Sequence, residues 1–590
     1  MMSSPASAPL ALPVASLDAP PLGGGFALAD WLVVAAVMAL VTWIGHRLTG
    51  RQESLRDFYL GGRRLPWYAV SASIIATEIS AVTFFAVPSL VWREGGSIHY
   101  LQIGLVSALV ARLVVAFVLT PAYYEKEIYS PYDFMGDRLG RGVRRMTTGL
   151  FMVGGVLAQA SRVYITAVII EVLAREELAA VESVTGLPPL AGAILAISIV
   201  ATAWTWIGGV ATVVWTDALL FLMFIGGLVA LLAVMHGEIP GGIGAAMDVA
   251  RETGKLSLTP DGWGSGGLVA ALTTPYGAAS VLVGASWGLV GPYGTDQLMA
   301  QRMLACANKR QAQLAVLGSY FSVVIVGLAF LVGVGLIGYY EHHAMSEGAR
   351  VLVDQKPDRV LPVFVREALP VGLRGLVLAA AFAAAISSLD SILAALGQAT
   401  QSLRPRWDDV RASGGAGDGG AVRSTRVIVL GWSVILAGAA MGMQAIEARY
   451  ADLLSLALGM SAMVGGPLLA AFALGWIGRE RGASGFLWSA PLGVLTVAFA
   501  VFPGPTTYEL SWWIISALFG LWLFVGLPRR RQPYGAVQTL LYAFVLFLLT
   551  RVAEVGDFDG AVIQWPWYVA VGSAVTFVFA LALDRHGRRN

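Results

Sequence analysis

Charge is what this chain has least of. Only 13% of its 590 residues are charged, against 57% hydrophobic, and 39 Lys and Arg nearly balance 37 Asp and Glu. A soluble chain carries about 25% charged residues, so about half of the charge that a set of soluble domains would need is missing. The formal net charge of +2 is too small for a nucleic-acid-binding surface, which excludes nucleic acid as a partner. A single cysteine, Cys306, excludes a disulfide scaffold, and 69 Gly with 26 Pro but no G-X-Y period exclude collagen. Histidine is scarce as well. His46, His99, His236, His342, His343 and His586 fall at or outside the ends of apolar runs and form no ligand cluster, so no transition-metal site is expected. What the chain has in abundance is long apolar sequence, as a protein with most of its surface in lipid requires.

A segment spanning a bilayer must be a helix or a strand of a closed barrel, and a helix needs about 20 apolar residues. About fifteen such runs occur, near 28–48, 66–92, 99–122, 146–173, 190–207, 211–235, 268–297, 312–340, 372–402, 424–443, 450–477, 484–503, 511–527, 536–552 and 565–583. They are continuous rather than alternating, which predicts an all-α integral membrane protein and not a barrel. Residues 1–27 lack the basic start of a signal peptide and read as a disordered, Pro/Ala-rich external tail. The stretch 405–421 reads as a flexible cytoplasmic linker. Basic residues recur in every second loop: Arg47 to Arg64, Lys126 to Arg145, Arg302 to Arg310, Arg404 to Arg426, Arg479 and Arg481, Arg529 to Arg531, and Arg585 to Arg589. The positive-inside rule then places the N-terminus outside and the C-terminus in the cytoplasm. Only 4 of the 39 basic residues are lysine. With the abundant Ala and Gly, that skew points to a GC-rich genome and hence to a bacterial plasma (inner) membrane.

An ionised group at the bilayer centre costs at least about 2.5–3.5 kcal/mol, so intramembrane charge marks function. Five such residues occur: Glu78, Arg112, Arg162, Asp217 and Asp390. Pairing of Glu78 or Asp217 with Arg112 is the structural alternative. Three acids against two arginines leave a negative charge suited to a cation. On the run around Asp390, Ala384, Ser387, Ser388 and Ser391 share one helical face, and hydroxyls with a carboxylate are hard donors suited to an alkali cation. Small-residue helix packing would explain the serines but not the aspartate. Two runs are interrupted, one by Thr77-Glu78-Ile79-Ser80 and one by Gly284, Gly288, Gly291, Pro292 and Gly294. Each opens a block of about five spans, 66–235 and 268–477, the pointer to inverted repeats around a midplane site. The G-x-G-x-x-G at Gly333–Gly338 and the G-x-S-x-G at Gly284–Gly288 lie inside apolar runs, without the strand that either motif requires.

Several stretches together resemble the sodium/solute symporters: DFYLGGRRLPW (57–67), ASIIATEISAVTF (72–84), GGVATVVWTDALLF (208–221), GTDQLMAQRMLA (294–305) and AAAISSLDS (383–391). The resemblance implies a LeuT-like 5+5 inverted-repeat core, one extra N-terminal helix (28–48) and several peripheral C-terminal helices (484–583). It also implies a sodium site made by Ala76, Ile79 and Ala384 with Ser387 and Ser388. A second cation, as in some members, would use Asp217, Asp390 and Ser391, with Asp390 standing where those members have a small polar residue. The positions corresponding to the family's solute site begin with Thr83, where sugar carriers have glutamine, followed by Phe84. No lysine occurs in 312–340, where sugar carriers place one. Arg162 lies near the position of a carboxylate-holding arginine, and a guanidinium clamps a carboxylate bidentately. Gln102, Trp287 and Tyr293 complete the candidate cavity and gates.

The expectation is therefore a sodium-coupled symporter importing a small carboxylate or zwitterion by alternating access, with Na⁺ as coupling ion and no organic cofactor. The potential supplies about 2.3 kcal/mol per 100 mV per inward cation, enough for roughly tenfold or greater accumulation. Sodium/sugar and proton-coupled symport remain alternatives. A passive channel or a membrane-embedded enzyme would need rings of repeated residues or a nucleophile or metal constellation at depth. Neither is apparent in the sequence, which leaves the oligomeric state open.

Overall fold

A computed structural model describes residues 25–49, 55–125, 128–207, 210–265, 267–404, 407–408, 419–447, 453–477, 483–501 and 563–585. Among them every regular element is a helix, and the only ladder contact is an isolated bridge between Leu65 and Cys306. Numbering only the helices used below, α1 is Leu28–Thr49, α2 Trp67–Glu78, α3 Ala81–Trp92, α4 Ile103–Tyr124, α5 Arg141–Leu173, α6 Pro189–Ile207 and α7 Val210–Glu238. They are followed by α8 (280–295), α9 Gln297–Leu304, α10 Lys309–His342, α11 Leu373–Ser402, α12 Gly419–Gly442, α13 Leu453–Trp476, α14 Ala483–Val501 and α15 Tyr568–Arg585.

Ten described helices are long and apolar enough to span a membrane, or eleven if the bent pair α2–α3 is one span. The expected fifteen are not reached. The runs 511–527 and 536–552, like residues 1–24 and 409–418, lie outside the described residues. The run 268–297 is divided by π turns into short pieces, and the apolar stretch of α14, Gly485–Ala498, is shorter than a span.

Local chemistry explains where the helices break. The α2–α3 pair bends by 57°, with Ile79 (φ −81°, ψ 94°) and Ser80 (φ −96°, ψ 179°) extended between the halves. α8 contains π turns at Ser280–Ala285 and Gly291–Thr295, the second holding Pro292, whose missing N–H cannot serve a regular helix. It ends at Asp296 (φ −76°, ψ 136°), which caps α9 by accepting from the Leu298 amide at 2.7 Å. The Gly333–Gly338 motif proves to be a packing seam in α10. A Cβ on Gly333 would lie 2.5 Å from the Pro88 carbonyl, one on Gly335 2.5 Å from Met235 Sδ, and one on Gly338 2.5 Å from the Ala246 Cβ.

The linker expectation for 405–421 is corrected at its start. Trp407 is buried and donates to Asp133 at 3.0 Å, and Asp408 pairs with Arg144 and, at 3.1 Å, with Arg141. This turn is docked onto the base of α5. Lys255 caps the C-terminus of α3, its ammonium donating to the carbonyls of Val91 (2.7 Å) and Arg93 (2.8 Å). Burial draws its pKa below the usual lysine value, opposed by the charge of Glu94.

Candidate functional site

The break in α2 sets up the first feature of the site. The last carbonyls of a helix have no amide partner within it, and here that end is buried, with Ala76 2% and Ile79 1% exposed. α2 packs against α7, α9, α10 and α11. On α11, Ala384, Ser387 and Ser388 are buried. Ser387 Oγ donates to Asp217 Oδ1, which leaves its lone pairs unused, and Ser388 Oγ is buried with no hydrogen-bond partner among the described residues. A buried hydroxyl left without a partner, on a helix packed against the end of α2, is a hard oxygen donor still to be satisfied.

Arg302 corrects the charge count made from the sequence. Its sequence neighbours Lys309 and Arg310 mark a cytoplasmic loop, but Arg302 itself is 4% exposed. Its guanidinium donates to Ser73 Oγ (2.8 Å), Leu298 O (2.7 Å), Asp217 Oδ2 (2.9 Å) and Ser391 Oγ (2.7 Å). Ser73 also donates to Asp217 Oδ2 at 2.6 Å. Two of the three residues expected to hold a second cation, Asp217 and Ser391, thus already hold a guanidinium. Asp390, also buried, receives the Ser391 hydroxyl at 3.3 Å.

Glu78 belongs to a different cluster. Arg112 Nη2 pairs with Glu78 Oε2, and Arg112 also donates to Ser319 Oγ (2.9 Å), Ser322 Oγ (3.1 Å) and Ala108 O (3.2 Å). Tyr293 donates to Glu78 Oε1 at 2.5 Å, and its ring lies 4.3 Å under the Arg112 guanidinium. The ends of both interrupted helices, α2 and α8, are tied to α4 and α10 by this one ion pair. Of the two expected roles for Glu78 and Arg112, the structural pair is the observed one.

A cavity of about 70 Å³ lies between the two breaks, lined by Thr77, Gln159, Arg162, Thr295, Asp296 and Ser461 with apolar residues of α5 and α13. Arg162 donates to the Thr77 carbonyl at 3.1 Å and makes no ion pair among the described residues. Of the six expected solute residues, Arg162 alone lines this cavity. Phe84 packs on Phe85 and Phe224 at ring distances of 4.9 and 6.1 Å, and Thr83 sits on the same half-helix α3. Gln102 is buried and donates to the Tyr276 carbonyl at 3.4 Å. Trp287 is 43% exposed and donates to Ser573 of α15 at 2.8 Å, while Tyr293 is engaged by Glu78.

Asp296 and Gln159 were missed from the sequence. Gln159 stands three residues before Arg162, the spacing of one helical face, and was legible on that ground. Asp296 reads as an ordinary helix cap, and it is one.

The family model of the sodium:solute symporter family matches residues 58–493. Among curated relatives, the human sodium-coupled monocarboxylate transporter 1 is 28% identical over 526 residues, covering 88% of this chain and 77% of that protein. The human sodium/iodide cotransporter is 28% identical over 495 residues, covering 81% and 70%. Among solved structures, a substrate-bound, outward-open Na⁺-coupled sialic acid symporter aligns with a TM-score of 0.67 at 18% identity, over 95% of this chain and 98% of that one. The fold is thus that of a known sodium symporter. The chain belongs to the sodium:solute symporter family, and is a multi-pass sodium-coupled membrane transporter rather than an enzyme.

Proposed function

We propose that this protein imports a small carboxylate-bearing solute driven by Na⁺. The observation that carries the solute class is Arg162: a guanidinium on the wall of the cavity between the two helix breaks, without a carboxylate partner among the described residues. An unpaired arginine in a low-dielectric site calls for an anionic group. The relatives named for monocarboxylate transport support this reading. The same relatives do not favour the sugar alternative.

The coupling ion sits, in this proposal, among the carbonyls of Ala76, Ile79 and Ala384 and the hydroxyls of Ser387 and Ser388, supported by the orphaned Ser388 Oγ and the free helix end. Na⁺ there fastens α2 to α11 and favours the state that takes solute from outside. Arg302 supplies a fixed positive charge to Asp217 and Ser391, which favours one mobile cation over two. The two five-helix blocks, 66–235 and 268–477, form the moving repeats, with the N-terminus outside and the C-terminus in the cytoplasm of a bacterial cell. Arg162→Gln tests the solute class: propionate and lactate uptake should fall at least tenfold while sodium-dependent thermal stabilisation persists. Unchanged uptake would refute the role of Arg162.

A further inference from the structure

The cavity holds a second charged group. Asp296 lines it along with Arg162, and among the described residues only its Oδ1 is engaged, by the Leu298 amide at 2.7 Å. Gln159, three residues before Arg162 on α5 and 3% exposed, lines the same cavity, and its amide oxygen, Oε1, is buried with no hydrogen-bond partner among the described residues. Asp296 and Arg162 share the cavity without meeting at ion-pair distance.

A plain monocarboxylate satisfies only half of this arrangement. Its charge would neutralise Arg162 and leave Asp296 as an uncompensated carboxylate beside it, with the Gln159 oxygen still unmatched, both costly in a buried site. An ammonium on the carbon next to the carboxylate resolves both. It offers three donors and a positive charge to two acceptors, while the carboxylate faces Arg162.

We propose, resting on the carboxylate reading above, that the solute is a short α-amino acid, with Asp296 and Gln159 selecting its ammonium group. A site built to hydrogen-bond a donor rejects analogues lacking it far more strongly than a pocket rejects a missing methylene.

The test is uptake of radiolabelled alanine, lactate and propionate into proteoliposomes under one sodium gradient, in wild type, Asp296→Asn and Gln159→Leu. Asparagine still caps α9, so Asp296→Asn removes the charge without removing the cap. The expected result is alanine favoured over propionate at least tenfold in wild type, with that ratio reduced at least tenfold in Asp296→Asn. Lactate, which has one donor and no positive charge, should fall between the two. An inside-negative potential should accelerate alanine uptake in wild type, because one Na⁺ with a zwitterion carries net charge, and leave propionate uptake nearly unaffected. Propionate taken up as well as alanine, with ratios unmoved by Asp296→Asn, would overturn the role of Asp296 and leave the carboxylate reading standing. Uptake of none of the three would overturn both.

Discussion

The ion pair that ties the two helix breaks together makes the most quantitative prediction. Arg112 is fully buried and, among the described residues, Glu78 is its only charged partner, while Ser319, Ser322 and the Ala108 carbonyl supply neutral acceptors. Glu78→Ala removes the counter-charge and keeps the neutral bonds. Deleting one member of a buried pair costs about 3–5 kcal/mol. The Tyr293 ring retains a cation–π contact of roughly 0.5–2 kcal/mol, and the Glu78 side chain is 21% exposed, so the expected loss lies near the lower end, about 3 kcal/mol. Arg112→Met removes the stranded charge, so the double variant should be more stable than the sum of single losses implies by at least about 1.5 kcal/mol. Equilibrium unfolding in mixed detergent micelles measures all three. Single losses that add to within about 0.5 kcal/mol would refute the claim that this pair joins α2 to α4.

Ser388→Ala should raise the sodium concentration for half-maximal uptake at least tenfold yet leave stability within about 0.5 kcal/mol of wild type, since the hydroxyl has no partner to lose among the described residues. Sodium titration of uptake, with unfolding of the same preparations, checks both halves. Gly333→Val places a Cβ 2.5 Å from the Pro88 carbonyl, a backbone atom that cannot swing aside, and should cost about 1–3 kcal/mol or more in an unfolding assay. Arg302→Gln leaves Asp217 without its guanidinium, and should impair folding more than Asp217→Asn combined with Arg302→Gln.

Much of this architecture is written locally. Thr77-Glu78-Ile79-Ser80 and Gly291-Pro292-Tyr293-Gly294 are unfit for continuous helix, and both breaks lie where those residues stand. Ala384, Ser387, Ser388 and Ser391 line one helical face by spacing alone. What the sequence hides is which way a lipid-soluble helix turns. A helix apolar all round carries no periodic stripe to orient it, so Trp287, which faces outward to α15, and Gln102, held at the Tyr276 carbonyl, looked as eligible for the cavity as Arg162. Arg302 was hidden for a different reason. A basic residue near a helix end reads as a topology marker, and only the tertiary approach of Ser73, Asp217 and Ser391 reveals it as an internal counter-charge.

Sodium-driven accumulation is the central claim, and one measurement addresses it. In proteoliposomes with the membrane potential clamped at zero, a tenfold inward sodium gradient supplies about 1.4 kcal/mol per ion. One coupled ion then predicts accumulation of labelled alanine or propionate above the bath concentration, approaching about tenfold. The accumulation should vanish when potassium replaces sodium, and in Ser388→Ala it should require at least tenfold more sodium. Uptake that stops at the bath concentration, or that proceeds equally without sodium, would contradict the account.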